Sequence, residues 1–545
     1  MDDSKNPTRP EALETPGKKA WPWLLCVCLI AAGLRLYHLN APLADNLQAK
    51  QTYSSNKARN IARAPFDPMR LSLDLLDDTG RPMDLAEEVP IYIGLVAAAF
   101  AALGESEIWG RLLSIAGSLI AILAFFDLAR REHGERLARV ATLLFACMPL
   151  FVFYGRAVMP DSWMLAMMLC CAAAHRRFLD SGQARWLVVA ALTGALTVLF
   201  KYWGLMIVLV LADMTRAARG WKAWFKPDFI LLMAGIVIPT FLWMLLVFAP
   251  APNPVQNGWV AGQPPSPYLV IQRASVLLDR GLYASFFQRF LARDCGVITC
   301  GLIVIGLWAT ARRRPWLRYD AGSLARWSAM ALVFYAILAP KMLDHDYYEL
   351  MMLPAAAVWA ALGWTSAATR LAARAAGFKP APRFLIGRAA PALVLGLAVV
   401  LHSPWVARQL FVLDQGKVEL GRALAAATNP ADRVVVLGPS IALIVPVHYS
   451  QREGWAVRAT ALPPDWAPQL LRWKEQGAVA IGLYFDAKTS RDERRSFQPL
   501  IDTLTTLKTA SIPASSGRTG YEYVVLSLAG NANERLANAA RTSRR

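Results

Sequence analysis

Apolar runs of roughly bilayer-spanning length recur from residue 20 to residue 404, and a chain built this way must fold as helices in lipid. The first run is Ala20–Tyr37, behind a basic N-terminus (Lys18, Lys19), and it reads as an uncleaved first span because no small-x-small site follows it. Further windows lie near 109–127, 136–154, 162–178, 185–199, 202–215, 228–249, 296–312, 326–342, 349–366 and 388–404. Several approach the ~20 residues a helix needs to cross hydrocarbon, and the shortest are marginal. Pro90–Gly104 is shorter still and reads as a re-entrant or interfacial helix, which leaves about 11 crossings.

Charge sets the expected orientation. The loops 128–139, 175–185, 214–226, 312–326 and 367–388 each carry three to five Lys or Arg, whereas 155–161, 200–202 and 341–348 carry one each. The positive-inside rule places the basic set, with the N-terminus, in the cytoplasm. An odd number of crossings then puts the C-terminus outside. The net charge of +19 is accounted for by this loop bias, so nucleic-acid binding is not indicated. The seven cysteines lie in or beside apolar segments without metal-site spacing and read as small hydrophobes.

Three outer stretches are too long for connectors: 38–89, 250–294 and 405–545. The first is polar. The second opens Pro-rich (Pro250–Pro254, Pro264-Pro265) and ends in an amphipathic segment around Tyr283–Leu291. The third patterns as an extracytoplasmic α/β domain over 405–530. It has helices at 416–428 and 465–476, strands at Arg433–Leu437, Ala478–Tyr484 and Tyr521–Leu528, and a tail over 531–545 expected to be disordered. No internal repeat is visible.

Polar residues gather at a few loop positions on the expected outer side. They are Asp45 to Tyr53, Lys57 and Arg59, Glu87-Glu88, Arg156 and Asp161, Lys201, and Asp344-His345-Asp346-Tyr347-Tyr348. Cations suit a lipid-carrier phosphate and the charge it gains on leaving, and a carboxylate suits the proton of an attacking hydroxyl or amine. Singly, each is an ordinary snorkelling or solvated charge.

Their order carries more. Asp45 follows Pro42-Leu43 just after the first span. Gln51-Thr52, Ala58-Arg59-Asn60, Glu88-Val89-Pro90-Ile91-Tyr92, Gly110-Arg111-Leu112-Leu113-Ser114, Tyr154-Gly155-Arg156-Ala157-Val158-Met159-Pro160-Asp161 and His345-Asp346-Tyr347-Tyr348 follow in turn. This succession, over 1–404, resembles the GT-C membrane glycosyltransferases, specifically bacterial relatives of the family 39 protein mannosyltransferases and of the lipid A aminoarabinose transferase. The chain departs from that pattern at Asn46, where the family often has Glu, and at Asp45 and Gln48, where one bacterial branch has His and Arg.

The resemblance implies a polytopic α-helical membrane protein of GT-C type in the bacterial inner membrane. It implies an inverting enzyme that moves one sugar from a polyprenyl-phosphate donor to a lipid, glycan or protein acceptor at the outer face. Asp45 would be the base and Asp161 the second acidic residue. Arg156, Lys201, Lys50 and Arg59 would hold phosphate. His345 and Tyr348 would line the cavity, with Glu88 a further candidate. No strict metal requirement is implied. A transporter or flippase, or a non-catalytic assembly protein for envelope glycolipids, are the alternatives.

Overall fold

A computed structural model describes residues 20–63, 65–84, 88–248, 274–313, 322–342, 345–376, 390–400, 409–440, 442–512, 520–530 and 532–542. The basic N-terminus, Glu87, Asp344 and the Pro-rich piece lie outside them.

The apolar windows become helices. The first is α1 (Ala20–Leu36), and the stretch after it supplies α2 (Gln48–Ala62) and strands β1 (Ser72–Leu76) and β2 (Pro82–Asp84). Next come α3 (Ile91–Leu103) and α4 (Glu107–His133), then α5 (Glu135–Cys147) and α6 (Pro149–Tyr154). Pro149 breaks the window at 136–154 because it has no amide hydrogen to continue the helix, and it sits where that is harmless, at the first turn of α6. The series continues with α7 (Asp161–Ser181), α8 (Ala184–Phe200), α9 (Ile207–Arg219) and α10 (Pro227–Phe248). After it come α11 (Arg280–Arg289), α12 (Val297–Arg313), α13 (Gly322–Met342), α14 (Leu353–Ala375) and α15 (Ala390–Val400).

Among the described residues, three helices are long and apolar enough to cross a membrane: Glu107–His133, Pro227–Leu246 and Asp346–Ala375. A fourth crossing is possible if Arg280–Asp294 and Val297–Ala311, bent by 111°, count as one broken span. Shorter apolar helices, among them α1, α3 and α8, complete the helical body. At the packing of α12 against α14 two glycines bring the backbones together. A Cβ on Gly363 would stand 1.8 Å from the Leu302 carbonyl oxygen, and one on Gly306 would stand 2.1 Å from that of Trp359.

The C-terminal part contributes α16 (Gln415–Ala427), β3 (Arg433–Gly438), α17 (Ile444–Ser450), β4 (Gly454–Arg458), α18 (Trp466–Glu475) and β5 (Ala478–Asp486). It closes with α19 (Arg491–Ser496), α20 (Gln498–Thr503), β6 (Thr505–Ile512), β7 (Tyr521–Ser527) and α21 (Ala532–Thr542).

All seven strands form one sheet in the order β2-β1-β4-β3-β5-β7-β6. The stretch after α1 therefore shares its sheet with the C-terminal part, through parallel pairing of Leu75 with Gly454. The strands β4, β3 and β5 are parallel, and β7 and β6 return antiparallel. The β-branched run of β3 is buried on both faces, as a central parallel strand requires. Val434 and Val436 pack beneath α16 and α17, with Tyr53 of α2 in the same cluster. Val435 and Leu437 pack on the opposite face with Trp473 of α18.

The tail beyond Gly530 differs from the expectation of disorder. It forms α21, because Ala532 and Leu536, spaced four apart on one helical face, are buried in that second core.

Candidate active site

Between α1 and α2 the chain makes an irregular turn, with His38 (φ 57°) and Leu47 (φ 51°) in the left-handed region. Arg111 of α4 holds this turn in place. Its guanidinium donates to the carbonyl oxygens of Leu39 (2.7 Å), Pro42 (3.3 Å) and Ala41. Nearby, the Tyr92 hydroxyl lies 2.9 Å from the Gly110 carbonyl oxygen and 2.8 Å from the Ser114 hydroxyl, which in turn donates to Ala157 O at 2.7 Å. Three separate motifs of the sequence thus meet as a scaffold.

Asp45 sits on that turn, buried. Its Oδ1 accepts from Gln51 Nε2 at 2.6 Å, and its Oδ2 lies 3.4 Å from Arg156 Nη1. Gln51 is itself fixed, because its Oε1 accepts the Val158 amide at 3.1 Å. Arg156 lies in the connection between α6 and α7. It donates to His38 O at 3.1 Å, and its guanidinium carbon stands 5.0 Å from the centre of the Phe411 ring. Burial pushes its pKa down to about 10 while Asp45 pulls the other way, so it stays charged at neutral pH. Its buried Nε–H meets no acceptor among the described residues.

Asn46 carries the site onward. Its amide donates to the Tyr154 hydroxyl at 3.1 Å and to Asp346 Oδ2 at 3.3 Å. Tyr154 donates to Asp346 Oδ1, and Arg293 pairs with Asp346 at 2.7 Å. The Tyr154 ring meets Tyr347 edge-on at 6.1 Å, and Lys201 Nζ lies 4.0 Å over the Tyr347 ring. Lys201 Nζ also reaches both carboxylate oxygens of Asp161 at 2.8 Å. His345 stacks on Tyr347 at 5.2 Å, and Tyr348 sits 4.5 Å from Tyr347.

Of the residues expected from sequence, Asp45, Arg156, Asp161, Lys201, His345 and Tyr348 therefore lie along one contiguous row. Lys50 is half-buried on α2 beside Gln51, and Glu88 is half-buried just ahead of α3. Arg59 belongs elsewhere. It pairs with Glu105 at 2.6 Å and Asp74 at 3.3 Å and donates to His448 O at 3.0 Å, at the edge of a cleft of about 480 Å³ that Arg63 and Arg452 also line. Its hydrogen bonds join α2 to β1 and α17, and among these contacts none is to a member of the row.

The row also holds residues that sequence reasoning passed over: Asn46, Tyr154, Arg293, Asp346, Tyr347 and Phe411. Asn46, Tyr154, Asp346 and Tyr347 were quoted without a role, and Arg293 lies two residues past the amphipathic segment Tyr283–Leu291. Phe411 carried no signal.

Residues 88–246, which include Arg156, Asp161 and Lys201, match the family model described as dolichyl-phosphate-mannose-protein mannosyltransferase. No curated protein matches the chain. Among solved structures, ArnT from Cupriavidus metallidurans in the apo state superposes with TM-score 0.59 at 15% identity, over 94% of this chain and 99% of that one. This chain has the GT-C fold. The same ArnT bound to undecaprenyl phosphate gives TM-score 0.57 at 14% identity, over 95% and 99%. The archaeal oligosaccharyltransferase AglB from Archaeoglobus fulgidus, in complex with an inhibitory peptide and a dolichol-phosphate, also gives 0.57 at 14%, over 93% and 74%. The GT-C fold thus extends through the C-terminal part as well as the helical body.

Proposed function

We propose that this protein is an inverting glycosyltransferase that moves one sugar from a polyprenyl-phosphate donor to a lipid, glycan or protein acceptor. The observation that carries the reading is the buried row from Arg156 and Asp45 to Lys201 and Asp161, set in the GT-C fold. Asp45 takes the proton of the acceptor hydroxyl or amine as that group attacks the anomeric carbon from the face opposite the phosphate. The sugar–phosphate bond breaks, and the phosphate leaves with the bonding electrons. Arg156, through its open Nε–H, and Lys201 receive the charge that develops on the phosphate oxygens. Asp161 holds Lys201 in place, and the Tyr347, Tyr348 and His345 rings wall the cavity. The long 3.4 Å contact between Arg156 and Asp45 suits partner exchange as phosphate arrives.

We further propose about 11 crossings of a bacterial inner membrane, with the N-terminus cytoplasmic and the C-terminal domain periplasmic. The charge bias of the loops supports this orientation. Reporter fusions at the C-terminus test it.

The function is tested in proteoliposomes with a radiolabelled polyprenyl-phosphate sugar. Covalent transfer that Asp45→Asn abolishes is the expected result. Label that crosses the bilayer without being transferred would overturn the reading in favour of a flippase.

A further inference from the structure

The short segment Leu43–Asn46 belongs to neither α1 nor α2, so its backbone is held by what it touches. Three of its backbone groups bond to residues of the C-terminal part. The Leu43 amide donates to the Tyr449 hydroxyl at 2.7 Å, the Ala44 carbonyl accepts from the Asp414 amide at 2.8 Å, and the Asn46 amide donates to Leu410 O at 3.2 Å. Phe411 of the same stretch lies against Arg156, the partner of Asp45. Asp45 is thus bracketed on both sides by bonds to residues 410–449.

Two of those bonds run backbone to backbone and depend little on side-chain identity. The third depends on a single side chain. The Tyr449 hydroxyl accepts from Leu43 and donates to Glu107 Oε1 at 2.8 Å, where α4 begins. Burial, with the Glu107 carboxylate beside it, raises its pKa well above the ordinary range, so it keeps its proton and can serve both bonds at once. Tyr449 is itself seated firmly. A Cβ on Gly421 of α16 would come within 2.8 Å of Tyr449 Cβ, so α17 lies as close to α16 as a glycine allows. One residue before it, His448 meets Arg59 and Asn56 of α2, each at 3.3 Å.

We infer that Tyr449 is a positioning residue for Asp45, which makes the C-terminal domain part of the catalytic apparatus. Tyr449 touches no reacting atom. It fixes where the carboxylate points by tying the backbone two residues ahead of it to the start of α4. This rests on the reading of Asp45 as the base.

The test compares full-length wild type, Tyr449→Phe and Asp45→Asn in proteoliposomes, with a radiolabelled polyprenyl-phosphate sugar as donor. Loosening Leu43–Asn46 misplaces the base without removing a donor contact. For Tyr449→Phe the expected result is a kcat lower by about 10- to 100-fold with the donor KM within about threefold of wild type, as small displacements of a catalytic group produce. Tyr449→Phe with wild-type kcat, beside an inactive Asp45→Asn, overturns the positioning role and leaves the reading of Asp45 standing. So does a raised donor KM at unchanged kcat, which would make Tyr449 a binding contact. An active Asp45→Asn overturns the reading of the base instead. If Tyr449→Phe does not accumulate folded, Glu107→Gln keeps the Leu43 bond and weakens only the anchor. A smaller kcat loss at unchanged KM is then expected, and an unchanged kcat overturns the inference.

Discussion

Lys201 and Asp161 form a deeply buried charge pair of the row, and removing its members one at a time separates their structural from their chemical role. Their side chains are 6% and 1% exposed and in contact at 2.8 Å. At that distance, with an effective dielectric of about 20, the attraction is about 6 kcal/mol, and burying two ions costs several kcal/mol each. The net worth of the intact pair is therefore small, yet breaking it is costly. Lys201→Met leaves Asp161 without its counter-charge and is expected to destabilise the protein by about 3–5 kcal/mol. Asp161→Asn is expected to cost less, because Lys201 keeps the Tyr347 ring at 4.0 Å, a contact worth about 0.5–2 kcal/mol. The double variant removes both charges of the pair and is expected to return to within about 2 kcal/mol of wild type, a coupling that a double-mutant cycle reads directly. Unfolding transitions in detergent give the stability order, and sugar transfer in proteoliposomes gives the chemistry. The double variant is expected to be nearly as stable as wild type and inactive. A double variant no more stable than Lys201→Met refutes the electrostatic argument, and one that turns over at the wild-type rate refutes the proposed role of Lys201.

Arg59→Met is expected to cost about 1–3 kcal/mol of stability, since the buried Asp74 loses one cation while keeping Arg63 and Asn56, and the donor KM is expected to stay within about twofold; unfolding and steady-state assays check both. Burial and the adjacent Arg59 guanidinium hold the His448 pKa well below its usual value, so the folded protein takes up this proton later than the unfolded chain. Its contribution is fully present above about pH 6.5 and is lost as pH falls from there toward the folded pKa, and His448→Gln should flatten the stability profile in that window. Gly363→Ala places a methyl group against the Leu302 carbonyl and should destabilise by about 1–3 kcal/mol by forcing α12 and α14 apart, read as a lowered unfolding midpoint.

Much of the helical body was legible because apolar runs near bilayer length admit few alternatives. Strands of the C-terminal part were legible where short apolar runs signal a buried strand, as in β3 and β5. β1 and β4 were not, because five residues apiece, one opening on Gly454 and the other interrupted by Asp74, carry too little periodicity to register. The partners of Arg59 were not legible for a related reason. An Arg in an outer loop suggests phosphate until its partners are known, and His448 lies far along the chain. Asn46 read only as a departure from a family pattern, yet its amide joins Asp45's turn to Asp346. An acidic residue there would face Asp346 and repel it, which explains why an amide stands at this point in this chain.

The pairing of Leu75 with Gly454 sets an order of events during synthesis. Roughly 380 residues separate the two strands, so at about 5–20 residues per second β1 waits roughly 20–80 s for its neighbour to be made. Throughout that interval the turn bearing Asp45 lacks Leu410, Asp414 and Tyr449 as well, although the helices around it are already in the bilayer. The setting of Asp45 is thus among the last parts of the molecule to be completed. Under the proposed function, a chain released before residue 449 would be inserted but inert, and sugar transfer would begin only once these contacts form.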